Sequence, residues 1–404
     1  MTPRFLIALL LGVASLAQAQ SVTFNTNFED ASLGKIEKLD ETTFRCHSLG
    51  QSDERGRNRQ TNWYYFRMDH VKGRDLTITL TDFVGEYDDK PGAVAMNADI
   101  RPVFSDDNTT WKPIEQMEWD NQKKEATLHV HCNADSVWIA HVPPYPTSHL
   151  RRLLDELNGK PPVLVETIGK SVNGRDLFLV TVTNTAIPES EKKVLWLIAR
   201  EHAWETGTSN VMEGALRFIS SNDPRAAQLR DKIIFKAIPM LDPDGCATGK
   251  VRFNANGYDV NRHWDHVSLQ SKEDLRLMPE IWYAKRAIYA WAESGRPTDL
   301  MVNLHNTETT EYVETNATDT TSREHIQKFF DLLSSKTSFD PSRPLVLTTV
   351  PTTSTNSLYL QKRIPVLLME QRISPGKKLG RAATVQDRQK FGQELVRCMA
   401  EAVQ

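Results

Sequence analysis

The sequence predicts an α/β fold, a mixed sheet flanked by helices, carried behind an antiparallel β-sandwich. Three observations predict it. Residues 20–145 hold short runs of strand-like alternation with no helical period between them. Val142-Pro-Pro-Tyr-Pro146 then breaks the pattern. From 146 to 404 apolar strands alternate with helical stretches, the order that gives a sheet buried on both faces.

Taken in chain order, Met1-Thr-Pro-Arg4, an apolar run from Phe5 to Leu16 and Ala17-Gln-Ala19 form the pattern of a cleavable signal peptide over 1–19. It predicts a periplasmic or secreted protein. The run is shorter than the roughly 20 apolar residues that span a bilayer, and no later stretch reaches that length, so no membrane insertion is expected. In the sandwich segment, Leu76, Ile78 and Leu80 alternate with threonines, Trp63-Tyr-Tyr-Phe66 is aromatic, and Leu128-His-Val-His-Cys132 repeats the two-residue period. Ser148 to Leu157 reads as a short amphipathic helix capped by Thr147 or Ser148. Beyond it the expected strands are Leu177–Thr183, Val194–Ala199, Ile233–Ile238, Leu300–Leu304, Leu345–Val350 and Val366–Met369. Helices are expected near Ser209–Ile219 and Pro279–Trp291 and from Val385 onward.

A net charge of −3 over 404 residues gives no general attraction to nucleic acid, so selectivity must come from a local site. The four cysteines lack the close spacing of a thiolate metal site. In an oxidising compartment Cys46 and Cys132 are the natural disulfide pair, and buried free thiols fit the sequence equally well.

In such sheets functional groups collect just beyond the carboxyl ends of strands. Val194-Leu-Trp-Leu-Ile-Ala199 runs into Arg200-Glu-His202-Ala-Trp-Glu205, Leu300-Met-Val-Asn-Leu304 into His305, and Val366-Leu-Leu-Met369 into Glu370. Two histidines and a carboxylate complete a catalytic zinc site with one position left for water. A His-x-x-Glu pair alone is weak, since a composition like this one gives roughly one match by chance; its place at a strand end, with His305 and Glu370 similarly set, is what gives it weight. Further on, Asn261 and Arg262 suit a carboxylate clamp, because a planar guanidinium holds a carboxylate through two parallel hydrogen bonds. Without the other features, a surface Arg262 paired to Asp259 is the better reading.

The segment from about Ile168 to Gln371 resembles the zinc metallocarboxypeptidases, specifically the cytosolic carboxypeptidase-like, deglutamylating branch. The resemblance rests on Ala199-Arg200, His202-Ala-Trp-Glu205, Val211-Met-Glu-Gly214, Pro239-Met-Leu-Asp-Pro-Asp-Gly245, Arg252 and Asp259-Val-Asn-Arg-His-Trp264. The aromatic run at 63–66 and the Pro144-Tyr-Pro exit resemble the sandwich domain that this branch carries ahead of its catalytic domain. Together with the leader pattern at 1–19, this resemblance gives a sandwich domain at 20–145 and a catalytic domain at 146–404. It implies one Zn2+ per chain on His202, Glu205 and His305, with Glu370 as general base and Arg252 polarising the carbonyl. Asn261 and Arg262 would receive the substrate's C-terminal carboxylate. The implied activity is a carboxypeptidase acting on peptide or protein C-termini, exported if the leader reading holds; Lys362 or Arg363 would favour a terminal Glu, and either suits an ordinary surface cation equally well.

The pattern departs from the family in places. Pro-Gly of the first metal motif is Ala203-Trp204 here, and Trp204 either walls the pocket or packs in the core. Asn303 stands where Asp is common. The family's active-site tyrosine has no fixed motif; Tyr359 is the nearest candidate, although a core position suits it better. Two other functions remain compatible with the sequence: a zinc deacylase acting on acyl-amino acids, and a binding protein that kept the fold without catalysis.

Overall fold

The computed structural model describes residues 20–404, so the leader reading of 1–19 lies outside the described residues. Two five-stranded sheets form the N-terminal sandwich. The first runs Thr23–Asn25, Tyr65–Asp69, Ser136–Ala140, Val103–Ser105, Lys112–Pro113, antiparallel throughout. The second runs Met117–Asp120, Glu125–His131, Asp75–Thr81, Thr43–His47, Ile36–Lys38. Leu76, Ile78 and Leu80 point into the shared core while the threonines between them turn outward, as the two-residue period requires. One pair departs from the antiparallel expectation: Thr43–His47 runs parallel to Asp75–Thr81. The chain between them leaves the second sheet through Gln51–Ser52, Arg59–Gln60 and Tyr65–Asp69, a crossover rather than a hairpin, which permits parallel pairing.

The C-terminal sheet has eight strands in the order Val163–Lys170, Asp176–Val182, Ile233–Ile238, Lys193–Ile198, Leu300–Thr307, Val366–Arg372, Tyr312–Thr315, Val346–Leu347. Its four central strands are parallel and its flanks are mostly antiparallel. Alternate residues of Lys193–Ile198 enter opposite cores. Leu195 and Leu197 pack beneath the helices Thr206–Ile219 and Val385–Ala402. Val194, Trp196 and Ile198 pack beneath Pro279–Glu293. Both faces are therefore covered, which is why these strands read as unbroken apolar runs. The first two helices pack closely because Gly214 and Gly392 face each other's backbones: a Cβ on Gly214 would lie 1.9 Å from the Gln389 carbonyl oxygen.

Several expectations change. The helix Thr147–Leu157 begins on Pro146 with no cap from its own side chains; Glu29, far back in the chain, accepts from Thr147 Oγ1 and from the Ser148 amide instead. The strand expected over Leu345–Val350 shortens to Val346–Leu347. Cys46 and Cys132 are free and buried. The strand Asp75–Thr81 lies between Thr43–His47, which holds Cys46, and Glu125–His131, which Cys132 directly follows, and two strand spacings, about 9–10 Å, exceed the reach of a disulfide. Among the described residues no helix is long and apolar enough to cross a membrane.

The two parts share a core. Trp204, Val251 and Ile373 of the C-terminal part pack in the sandwich cluster with Trp63, Phe66 and Leu128. Trp204 is thereby placed in the core, its ring 5.9 Å from that of His141.

Candidate active site

His202 follows the strand Lys193–Ile198 on a tight loop, and Glu205 is the residue on which the helix Thr206–Ile219 begins. The loop is braced from below by Arg200, a fully buried residue with φ +58. Its guanidinium donates to the carbonyls of Ala203 at 2.5 Å and Tyr145 at 3.1 Å and to Ser209 Oγ at 3.0 Å. His305 lies on Leu300–Thr307, and parallel register sets it directly beside Glu370 of Val366–Arg372. Residues paired in a parallel ladder share a face, so one sheet edge brings the second histidine and the carboxyl together.

His202, Glu205 and His305 converge, with one ligand atom from each inside a 4.8 Å cluster and all three buried. Glu205 Oε1 is 2.7 Å from His202 Nδ1, and Oε2 is 3.0 Å from His305 Nδ1. Each imidazole uses its other nitrogen outward. His202 Nε2 is 3.3 Å from Asp259 Oδ1, and His305 Nε2 is 3.1 Å from Glu201 Oε2. Two Nδ1 atoms and a carboxylate facing inward, each ring fixed from behind by a carboxylate, are the donor set and the outer support that zinc takes.

Burial alone would raise the Glu205 carboxyl, but the neighbouring His305 and His202 outweigh it and hold it below the usual range. Burial pushes Glu370 up to about 8, with Glu205 and Glu314 adding to the rise and His305 opposing it. Among the described residues, Glu370 Oε2 is buried without a hydrogen-bond partner. A divalent cation among the three donors would favour its ionised form.

Arg252 donates from Nε to Asp259 Oδ2 at 2.7 Å, so Asp259 joins the arginine to His202. Asp259 pairs with Arg252 rather than with Arg262, whose Nη1 donates to the Asn261 carbonyl at 2.7 Å. Asn261 is buried; its Oδ1 accepts from the Ser354 amide at 3.1 Å, and its Nδ2 lies 3.3 Å from His305 Nε2. Arg252, Asp259 and Arg262 open on a cleft of about 510 Å³ that is also lined by Asp53, Glu54, Arg55, Arg57, Asn58 and Gln60 of the N-terminal part.

Other candidates stand elsewhere. The Tyr359 hydroxyl accepts from the Thr318 and Asp319 amides at 2.8 and 3.0 Å, which fixes it as a structural tyrosine. Tyr312 pairs with Glu370 across an antiparallel ladder, so a tyrosine other than Tyr359 stands beside that carboxyl. Lys362 is bound to Glu293 at 2.7 Å, and Arg363 faces a separate hollow with Thr318, Asp319 and Ser322. Neither lines the cleft. Asp259 was present in the Asp-Val-Asn-Arg motif, and Glu201 in the strand-end motif, but only tertiary contact shows what each supports.

Comparison with known proteins agrees with this geometry. The zinc carboxypeptidase model matches residues 150–338, and the cytosolic carboxypeptidase N-terminal domain matches 24–142. Cytosolic carboxypeptidase 3 of Bos taurus is 29% identical over 314 residues, which cover 70% of this chain and 29% of that protein. Cytosolic carboxypeptidase 6 of Mus musculus is 29% identical over 275 residues, covering 64% of this chain and 49% of that protein. The chain thus spans less than half the length of these curated relatives. In fold it is similar to a metallo-carboxypeptidase from Burkholderia cenocepacia, with TM-score 0.81, 19% identity and coverage of 95% and 99%. It is likewise similar to a metallo-carboxypeptidase from Pseudomonas aeruginosa, with TM-score 0.77, 19% identity and coverage of 95% and 100%.

These matches overturn the expected periplasmic or secreted location. The domain ahead of the catalytic segment is the one named for cytosolic carboxypeptidases, and the curated relatives carry the same name, which points to the cytosol. A short apolar run followed by small residues is a signal of composition alone, and it was outweighed. The paired domain matches, the sheet that they build and the convergent donor set place this chain in the zinc carboxypeptidase family, in the arrangement with a cytosolic carboxypeptidase N-terminal domain.

Proposed function

We propose that the chain is a zinc-dependent carboxypeptidase that hydrolyses the last peptide bond of peptides or protein C-termini. The observation that carries this reading is the convergence of His202, Glu205 and His305 beside Glu370, joined through Asp259, 3.3 Å from His202 Nε2, to a cleft that also holds Arg252 and Arg262. We further assign 20–145 as the sandwich domain and 146–404 as the catalytic domain.

His202, Glu205 and His305 would hold the zinc, one ion per chain. The chemistry that zinc supplies at such a site is Lewis-acid polarisation of a carbonyl and a water pKa lowered from about 15.7 toward 7. Glu370 takes the proton of the attacking water and returns it to the leaving amine. Arg252 donates to the carbonyl oxygen as negative charge builds on it. Asn261 and Arg262 hold the terminal carboxylate, which restricts cleavage to a chain end. Arg262, His263 and His266 line the cleft and support a preference for an acidic terminal residue such as Glu, while Arg55 and Arg57 are paired with Glu54 and Asp88, and Asp53 and Asp259 temper that preference.

The test is residue release by mass spectrometry from peptides ending in Glu, Lys, Phe or D-Ala, with zinc-loaded protein. Stepwise release, fastest from Glu, is expected. Bound zinc with hydrolysis of acyl-amino acids only would establish a deacylase instead, and neither zinc nor hydrolysis would establish a binding protein.

A further inference from the structure

The loop that carries Arg252 is held by a side chain some two hundred residues away in sequence. Gln51 begins a strand, Gln51–Ser52, of the small four-stranded sheet in the N-terminal part. Its Oε1 accepts from three consecutive backbone amides, Val251 at 2.9 Å, Arg252 at 2.8 Å and Phe253 at 2.9 Å. Its Nε2 donates to the Phe253 carbonyl at 2.6 Å. Successive amides that converge in this way form a concavity for an acceptor. Among the described residues those three amides have no backbone acceptor, and Val251 and Phe253 are buried. Without the glutamine oxygen the loop would leave buried donors unpaired, so another loop shape would compete with this one.

Two further contacts fix the same loop. The Trp204 amide donates to the Val251 carbonyl at 3.1 Å, which ties it to the metal-ligand loop. The Glu54 amide donates to the Gly257 carbonyl at 3.1 Å, and Gly257, with φ +87, has no room for a side chain: a Cβ there would lie 2.6 Å from the Glu54 nitrogen. Arg252 leaves the backbone from the middle of the clamped triplet, and its guanidinium ends on Asp259, the residue behind His202.

We propose that Gln51 is a positioning residue for Arg252, and that the N-terminal domain takes part in the reaction by shaping the loop that presents this arginine. The proposal rests on the role assigned to Arg252 under the carboxypeptidase reading. Gln51 itself is outside the metal site and acts only through the loop.

The experiment uses the full zinc-loaded chain with Gln51→Leu, which removes the acceptor at similar size, and Gln51→Asn, which withdraws it by one methylene. Gln51→Glu keeps the acceptor for the three amides while giving up the donor to the Phe253 carbonyl, and so serves as a rescue of the acceptor alone. Relative to wild type, Leu and Asn should lower kcat by about 10–100-fold, with KM within about threefold and zinc content unchanged, because the lost contact acts on the transition state. Hydrogen exchange of the segment around 251–253 should quicken in both. Gln51→Glu should keep the exchange protection and at least a tenth of the wild-type kcat. In an Arg252→Ala background Gln51→Leu should cost nothing further, since both changes remove one effect. Wild-type kcat and exchange in Gln51→Leu, or an additive loss in the double variant, would overturn the proposal. A wild-type chain that cleaves no peptide would remove the carboxypeptidase reading and the catalytic half of this one; the exchange data would then decide separately whether Gln51 holds the loop.

Discussion

Glu201 Oε2 lies 3.1 Å from His305 Nε2, with both side chains buried. Asn303 Nδ2 donates to that same carboxylate oxygen at 2.8 Å. The negative charge behind the second histidine is thus supplied by the residue next to His202, while an amide stands at 303. A carboxylate there fixes the ring and its tautomer with Nδ1 free to bind metal. Glu201→Gln should weaken zinc binding by about 10–100-fold, measured by competition with a chromophoric chelator. Adding Asn303→Asp should recover part of the loss. Unchanged affinity in Glu201→Gln would show that the contact does not support the ligand.

Glu370 is assigned the proton transfer and no metal contact. Glu370→Gln should therefore abolish peptide hydrolysis, by at least about a hundredfold for loss of general-base work, with zinc content near one per chain. Mass spectrometry under native conditions and a peptide-release assay check the two parts separately. Robust turnover in the variant would take Glu370 out of this role, and loss of zinc would make it part of the metal site.

Trp204 joins the parts of the molecule. It is buried in the sandwich cluster, its amide holds the Val251 carbonyl, and its neighbour Glu205 faces the histidines. Trp204→Ala should cost about 3–5 kcal/mol of stability, the usual range for an aromatic side chain removed from a core. Denaturant unfolding measures this. A loss below about 1 kcal/mol would show that the joint collapses around the gap.

Much of this site was legible because the sheet exposes it. His202 follows an apolar strand, while His305 and Glu370 sit near the ends of two strands just beyond their apolar stretches, and parallel strands of a two-faced sheet deliver such residues to one edge. The supporting shell was not legible in the same way. Glu201 and Asp259 lie inside recognisable motifs, yet which imidazole each one meets depends on strand order. Gln51 carries no local signal at all, since its partners are the amides of a distant loop. Thr320–Lys336 and Ser354–Lys362 escaped for a different reason. Thr320–Lys336, capped by Asp319, buries only Ser322, Ile326, Phe329 and Leu333, a narrow stripe among polar residues, whereas Ser354–Lys362, capped by Thr353, opens with buried Ser, Thr and Asn and so lacks the apolar period of a helix.

The last prediction concerns pH and stability away from the metal. Glu280 is fully buried beneath the site, where Oε1 accepts from the Val172 amide at 3.1 Å and Oε2 from Asn254 Nδ2 at 2.9 Å. Burial pushes its carboxyl up to about 7, and these hydrogen bonds offset only part of the rise. Because the folded state holds the proton more tightly than the unfolded chain, the favourable contribution is complete below about pH 4.5 and is lost as pH rises toward 7. The loss is on the order of 3 kcal/mol at most, since each tenfold gain in proton affinity on folding corresponds to about 1.4 kcal/mol. Glu280→Gln removes the titration while keeping the shape, and the amide group meets one donor at every pH. The variant's overall stability is therefore shifted by a constant, and the slope is the diagnostic quantity. Unfolding free energies at intervals between pH 4.5 and 8 should show wild-type stability falling relative to Glu280→Gln up to about pH 7 and running parallel above it. Parallel curves across the whole window would mean that Glu280 is ionised in the folded protein throughout, its two hydrogen bonds outweighing its burial.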